Sequence, residues 1–179
     1  MSRISIVSNA QANAEQHALF DAIQAKLGTV PNFLRVFAHS PAALQAFLGL
    51  YGVAENGALA PATRERIALA LAQQNSCEYC VSAHTAIGRK AGLDNDEMAA
   101  NRAGSSQDAR AAVAVQLARS LVEHTGDITS AELHAARAAG YSDAEIVEII
   151  THVGLNLLTN ILGKASQLDI DFPRVALHG

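Results

Sequence analysis

The chain contains two cysteines, Cys77 and Cys80, too few for a disulfide scaffold and spaced as in redox or metal-binding motifs. The segment from Cys77 to Ala91 reads as a helix that follows a cap at Asn75-Ser76 and stops at Gly92. In that helix, positions 77, 80 and 84 are separated by three and four residues, so both sulfurs and the His84 imidazole share one face. Cysteines three apart on a helical turn have α-carbons about 5 Å apart, within the span of a disulfide. Unsatisfied amides and the positive end of the helix dipole favour thiolate there, lowering a cysteine pKa from its free value of about 8.5. His84 is one turn from Cys80 and suits the role of adjacent base. A carboxylate completes such a relay. Glu65 starts the preceding helix, and an antiparallel return would carry it back over the sulfurs, although Arg64 and Arg66 beside it offer a competing ion pair.

The elements that must position these groups read as helices throughout, with no convincing strand. A first helix is expected from about Asn13 to Leu27, with Ala18, Leu19, Ala22, Ile23 and Ala25 on its inner side and Gly28 after its end. Pro31 and Pro41 suit the first turns of two further helices, whose Phe33, Leu34, Phe37, Leu44, Phe47 and Leu48 are core candidates. Pro61 opens a helix whose run Ile67-Ala68-Leu69-Ala70-Leu71-Ala72 is apolar all round, the pattern of a central buried element. Asp94 with Glu97, Thr129 with Glu132 and Ser142 with Glu145 have capping-box spacing and mark three more starts, and a long helix is expected from about Ser106 to His124. The first eight residues and those from about Asp169 to Gly179 read as tails.

Composition narrows the functions open to such a body. A chain of 179 residues is one domain by default, and half its residues are hydrophobic against 17% charged, so it should fold. The formal net charge of −4 leaves no basic surplus for nucleic acid or an anionic bilayer. The N-terminal apolar run is too short for a secretory signal, so a cytoplasmic location is expected. The most apolar segment, Ile146 to Leu162, is interrupted by Glu148, His152, Asn156 and Asn160, which argues against a membrane span.

Glu65, eleven intervening residues, Cys77-Glu78-Tyr79-Cys80 and then Val81-Ser82-Ala83-His84 resemble the E-x11-C-x2-C-x3-H signature of alkylhydroperoxidase D (AhpD)-like proteins in the carboxymuconolactone decarboxylase superfamily. The helical character of about Pro41 to Met98 agrees with that family's core, and the long N-terminal lead resembles its peroxidase-related members. The resemblance implies an all-α, multi-helix domain over residues 1–179 with its core at about 41–125, assembled as dimers, trimers or hexamers. It also implies a thiol peroxidase or disulfide reductase needing neither metal nor haem. Carried onto this chain, Cys80 attacks the peroxide, Cys77 resolves the resulting sulfenic acid, and Glu65 with His84 relays the proton. A lipoyl or thioredoxin-like dithiol is the implied reductant, with a peroxiredoxin as a possible electron acceptor. Some family members have a second histidine between the cysteines, where this chain has Tyr79, a poor base at neutral pH.

Other readings of the same residues are a cofactor-free decarboxylase of the muconolactone type, which would need neither sulfur, and a redox-sensing or zinc-binding module. In the latter, Cys77, Cys80, His84 and Glu65 would be ligands, though C-x2-C-x3-H on one helix is cramped for tetrahedral closure. His152, Asn156 and Asn160 form a polar stripe at i, i+4 and i+8 on an apolar helix. Satisfied interior groups are the expected explanation, with a pocket wall or subunit interface as the alternative. His17, His39, His124, His134 and His178 sit in polar surroundings and are expected at the surface, and Phe33, Phe37 and Phe47 in the core.

Overall fold

The structure is a computed structural model that describes residues 2–178. Among them every regular element is a helix: α1 (Ala14–Leu27), α2 (Asn32–Phe37), α3 (Pro41–Glu55), α4 (Pro61–Gln74), α5 (Glu78–Lys90), α6 (Asn95–Arg102), α7 (Ala109–Glu123), α8 (Ser130–Ala138) and α9 (Asp143–Ser166). The all-α expectation therefore holds.

The all-round apolar run places α4 at the centre. Ile67, Leu69, Leu71 and Ala72 are fully buried, and the helix packs against α5, α6, α7 and α9. On one side, Ile67 and Leu71 join Ala114, Leu117 and Ala118 of α7 and Ile146, Ile149 and Val153 of α9. A second core gathers α1, α2 and α3 around Phe20, Ile23, Leu34, Phe37, Leu44 and Phe47, with Leu155 of α9 closing it. Phe33, Phe37 and Phe47 meet there ring against ring, with centroids 5.0–5.2 Å apart. Glu148 of α9 accepts hydrogen bonds from the Ala58 and Leu59 amides at 2.9 and 2.7 Å, tying the loop between α3 and α4 to α9.

Four local expectations need correction. The inner face of α1 is carried by Phe20 and Ile23, while Ala18, Ala22 and Ala25 are exposed, because the aromatic ring fills the second core better than a row of methyl groups. Pro31 is the cap of α2, not its first residue, whereas Pro41 does open α3 behind a Ser40 cap. The long helix expected from Ser106 begins at Ala109, capped by Asp108. Thr129–Glu132 and Ser142–Glu145 form complete capping boxes, but Asp94 only accepts from the Glu97 amide. The Glu97 carboxylate instead turns inward to Arg66 at 2.6 Å, Asn101 at 2.9 Å and the Gln107 amide at 2.7 Å, and also accepts from Ser106.

The expected tails are straps. Val7 is buried and its amide donates to the Arg35 carbonyl at 3.2 Å. The C-terminal segment lies along α5: Asp171 accepts from the Tyr79 hydroxyl and the Asn32 amide, each at 2.8 Å. Arg174 grips Glu78 with two bonds of 2.9 Å, and the Val175 amide donates to Ser82 Oγ at 3.0 Å. Ile170, Phe172, Val175 and Leu177 join Val36 of α2 and Ala72 of α4 in covering the apolar side of α5. α9 has the length and composition of a membrane-crossing helix, but half of it is buried inside the protein, as in a core helix. The five histidines expected at the surface are exposed.

Candidate active site

The chain leaves α4 through Asn75 and reverses at Ser76, whose backbone is left-handed (φ 55°). That turn sets Cys77 as the cap of α5, just outside the helix where the sequence placed it in the first turn. Cys77 Sγ takes the capping role a serine oxygen usually fills, accepting from the Cys80 amide at 3.3 Å. The α-carbons are 5.2 Å apart and the two sulfurs form a disulfide. Both cysteines are buried, 1% and 4% exposed.

The reversal also makes α4 and α5 antiparallel neighbours, which brings Glu65 back to α5. Its Oε2 lies 2.8 Å from His84 Nδ1, and both side chains are largely shielded. The competing ion pairs do not form: Arg64 is spent on the Ala54 and Glu55 carbonyls at 3.0 and 2.6 Å, and Arg66 on Glu97. A carboxylate bound to one imidazole nitrogen fixes the ring's tautomer and orientation, the arrangement that leaves the other nitrogen to exchange a proton.

The third wall comes from α9, and here sequence reasoning missed two residues. The Thr159 carbonyl oxygen is 3.9 Å from Cys80 Sγ. Gly163 faces both sulfurs: a Cβ at that position would lie 3.0 Å from Cys77 Sγ and 3.6 Å from Cys80 Sγ. Only a residue without a side chain lets α9 approach the disulfide this closely. The available signal was weak: Gly163 lies four residues beyond Thr159 on a helix that carries a second glycine, Gly154.

Tyr79, between the cysteines, points to the strap. Burial first, and then its hydrogen bond to Asp171, raise its pKa, so the phenol stays neutral and takes no part as a base.

A cavity of about 250 Å³ opens beside Glu65 and His84, walled also by Tyr51, Ile87, His152 and Asn156. The polar stripe on α9 is thus a pocket wall in its first two members, and the expectation of satisfied interior groups fails. His152 Nε2, Asn156 Oδ1 and Asn160 Nδ2 are buried without a hydrogen-bond partner. Asn160 does accept from Asn75 at 2.8 Å, steadying the turn before Cys77. Burial chiefly, and then the Arg64 charge, lower the His152 pKa, so its ring is neutral at neutral pH. Tyr51 is pushed up to about 12 by burial and the nearby Glu55 charge, keeping that phenol protonated.

The sequence model of the carboxymuconolactone decarboxylase family matches residues 41–123, a stretch that contains Glu65, both cysteines and His84. Among solved structures, the chain is similar to an uncharacterized peroxidase-related protein from Silicibacter sp. TM1040, at 26% identity over 93% of this chain and 92% of that one, with a TM-score of 0.81. It is also similar to a protein from Ralstonia eutropha JMP134 described as an alkylhydroperoxidase AhpD core and uncharacterized peroxidase-related protein, at 25% identity, 95% and 92% coverage and a TM-score of 0.84. The debrominase Bmp8, solved with 2,3,4-tribromopyrrole, shares the fold at 16% identity, 96% and 92% coverage and a TM-score of 0.79. A search of curated proteins found no match.

Proposed function

We propose that the chain, whose residues 41–123 match the carboxymuconolactone decarboxylase family and whose fold is similar to AhpD-like, peroxidase-related proteins, is a thiol-dependent peroxidase that reduces hydroperoxides through Cys77 and Cys80. The observation that carries this reading is the juxtaposition of a disulfide at the cap of α5 with a Glu65–His84 pair at 2.8 Å on the adjoining helices. The same groups serve no evident purpose in a decarboxylase that needs no sulfur.

In the reduced enzyme the Cys80 thiolate attacks the terminal oxygen of the peroxide. The O–O bond breaks, sulfur is oxidised to sulfenic acid, and the leaving alkoxide takes a proton supplied through His84 and Glu65, departing as an alcohol. The Cys77 thiolate, poised at the helix N-terminus, then attacks the Cys80 sulfur. The disulfide forms and hydroxide leaves as water after taking a proton. Two electrons from an external dithiol, of the lipoyl or thioredoxin-like class, restore both thiols, with a peroxiredoxin as an alternative acceptor. No metal or organic cofactor enters this cycle. A cytoplasmic location supplies the reducing surroundings that resetting requires.

Self-association accompanies this reading. The outer side of α9 exposes Val147, Ile150, Leu157, Leu158 and Ile161, between 37% and 61% accessible, a stripe of the kind that a second copy covers. Sedimentation of the purified protein reads the number of subunits, and a monomer would end that part of the proposal.

The decisive experiment is stoichiometric peroxide followed by mass spectrometry, with dimedone trapping in Cys77→Ser and Cys80→Ser variants. A trapped sulfenic acid on Cys80 in the Cys77→Ser protein is expected. Oxidant that leaves both sulfurs of the unaltered protein unlinked defeats the proposal.

A further inference from the structure

Two of the unpartnered buried atoms belong to residues on the wall of the cavity beside the relay. His152 is 7% exposed and Asn156 3%, and Nε2 of the first and Oδ1 of the second have no hydrogen-bond partner. The other end of the Asn156 amide is already used, since Nδ2 donates to the His152 carbonyl one turn back at 2.8 Å. Oδ1 therefore offers a fixed acceptor, and Nε2 a donor or an acceptor according to the tautomer. Neutral polar atoms shut away from water in this manner are destabilising unless something that enters the cavity bonds to them.

Three of the charged side chains around the cavity are engaged, and the fourth, Lys90, is exposed. Arg64 is bound to two backbone carbonyls, Glu65 to His84, and Glu55 to Lys26 at 2.7 Å. At the buried end formed by His152 and Asn156, a carboxylate would meet the Asn156 oxygen with like polarity. A hydroxyl fits instead: its one O–H donates to Asn156 Oδ1, and its lone pairs and rotation suit His152 Nε2. Ile87, Leu155 and the Tyr51 ring give the apolar wall for the rest of such a molecule, and about 250 Å³ accommodates a small ring or short chain.

Position along α9 separates this pair from the reacting sulfurs. His152 and Asn156 precede Thr159 and Gly163, the residues that meet the sulfurs, by three to eleven positions, or roughly 5–16 Å of helix. The pair is therefore placed to hold a part of the substrate remote from the peroxide bond, in the same cavity that His84 and Glu65 line.

We propose that His152 and Asn156 form an anchoring subsite for a hydroxyl group of a small, uncharged organic substrate, so that the preferred hydroperoxide carries a second hydroxyl on an apolar body. The substrate class rests on the peroxidase reading above; the hydroxyl anchor itself does not.

The test uses phenol as the probe and fluorobenzene as its isostere without a donor, each titrated into the oxidised full-length protein and followed by NMR. Phenol should bind at least about fivefold more tightly. In Asn156→Leu and His152→Phe the two ligands should bind alike, with far-UV circular dichroism confirming the fold of each variant. A smaller preference in the unaltered protein, or one that survives in both variants, overturns the subsite. If neither variant folds, the His152 ring-nitrogen resonances decide: they must shift with phenol and not with fluorobenzene. Phenol selectivity in a protein that consumes no peroxide would remove the function and keep the anchor. Peroxide turnover without that selectivity would do the reverse.

Discussion

Replacing Gly163 by alanine tests whether α9 is a wall of the redox site. The added Cβ would stand 3.0 Å from Cys77 Sγ, against the 3.5–4.0 Å at which nonbonded carbon atoms are comfortable, so about 0.5–1 Å of overlap must be relieved. Overpacking of that size costs roughly 1–3 kcal/mol. Alanine in the middle of a helix returns about 1 kcal/mol of propensity, equally in both redox states. The clash is not equal. In the disulfide Cys77 Sγ is tethered to Cys80 and cannot turn away, whereas the free thiol of a capping residue can rotate about χ1. Gly163→Ala should therefore penalise the oxidised form by about 1–3 kcal/mol relative to the reduced form. At about 30 mV for each 1.4 kcal/mol, this makes the dithiol–disulfide couple roughly 20–60 mV more oxidising. Equilibration in dithiothreitol buffers, with the free thiols alkylated and counted by mass, measures the shift. An unchanged or more reducing potential would refute the idea that this glycine exists to admit the sulfurs.

Glu65→Gln and His84→Gln should each slow peroxide-dependent oxidation of the dithiol by about 10²-fold or more, read by rapid quench and alkylation; rates within twofold of the parent would remove both from the relay. Burial alone would raise the pKa of Glu97, but hydrogen bonds from Ser106, Asn101, Gln107 and Arg66 outweigh it and hold the carboxyl at about 2, down from 4.5. A depressed carboxyl contributes its stability above the ordinary range and loses it as pH falls toward 2, here up to about 3 kcal/mol. Urea unfolding between pH 6 and pH 2.5 should show this loss, and Glu97→Gln should flatten that part of the profile; parallel profiles would contradict the assignment. Removal of residues 169–178 should lower the thermal midpoint by several degrees, since it uncovers the apolar side of α5 and frees Tyr79 from Asp171. An unchanged midpoint would show that the strap adds nothing to the fold.

Much of the site was legible because it is local. Cys77, Cys80 and His84 lie within eight residues, and backbone geometry alone decides that they are neighbours. The all-round apolar run of α4 likewise announced its burial, because no amphipathic surface helix can afford six consecutive apolar residues. Capping signals identified most helix starts, and the one incomplete box, at Asp94, failed because Glu97 found a buried arginine in a different helix.

What the chain's order of residues settled was the helical class, the central element and the closeness of Cys77, Cys80 and His84, all governed by interactions within a few residues. Only the folded molecule decided that Glu65 chooses His84 over its own arginine neighbours, that Gly163 and the Thr159 carbonyl close on the sulfurs, and that half-used polar groups on α9 face a cavity. Each of these pairs groups 19 or more residues apart. Their meeting depends on how helices pack, which no local spacing encodes.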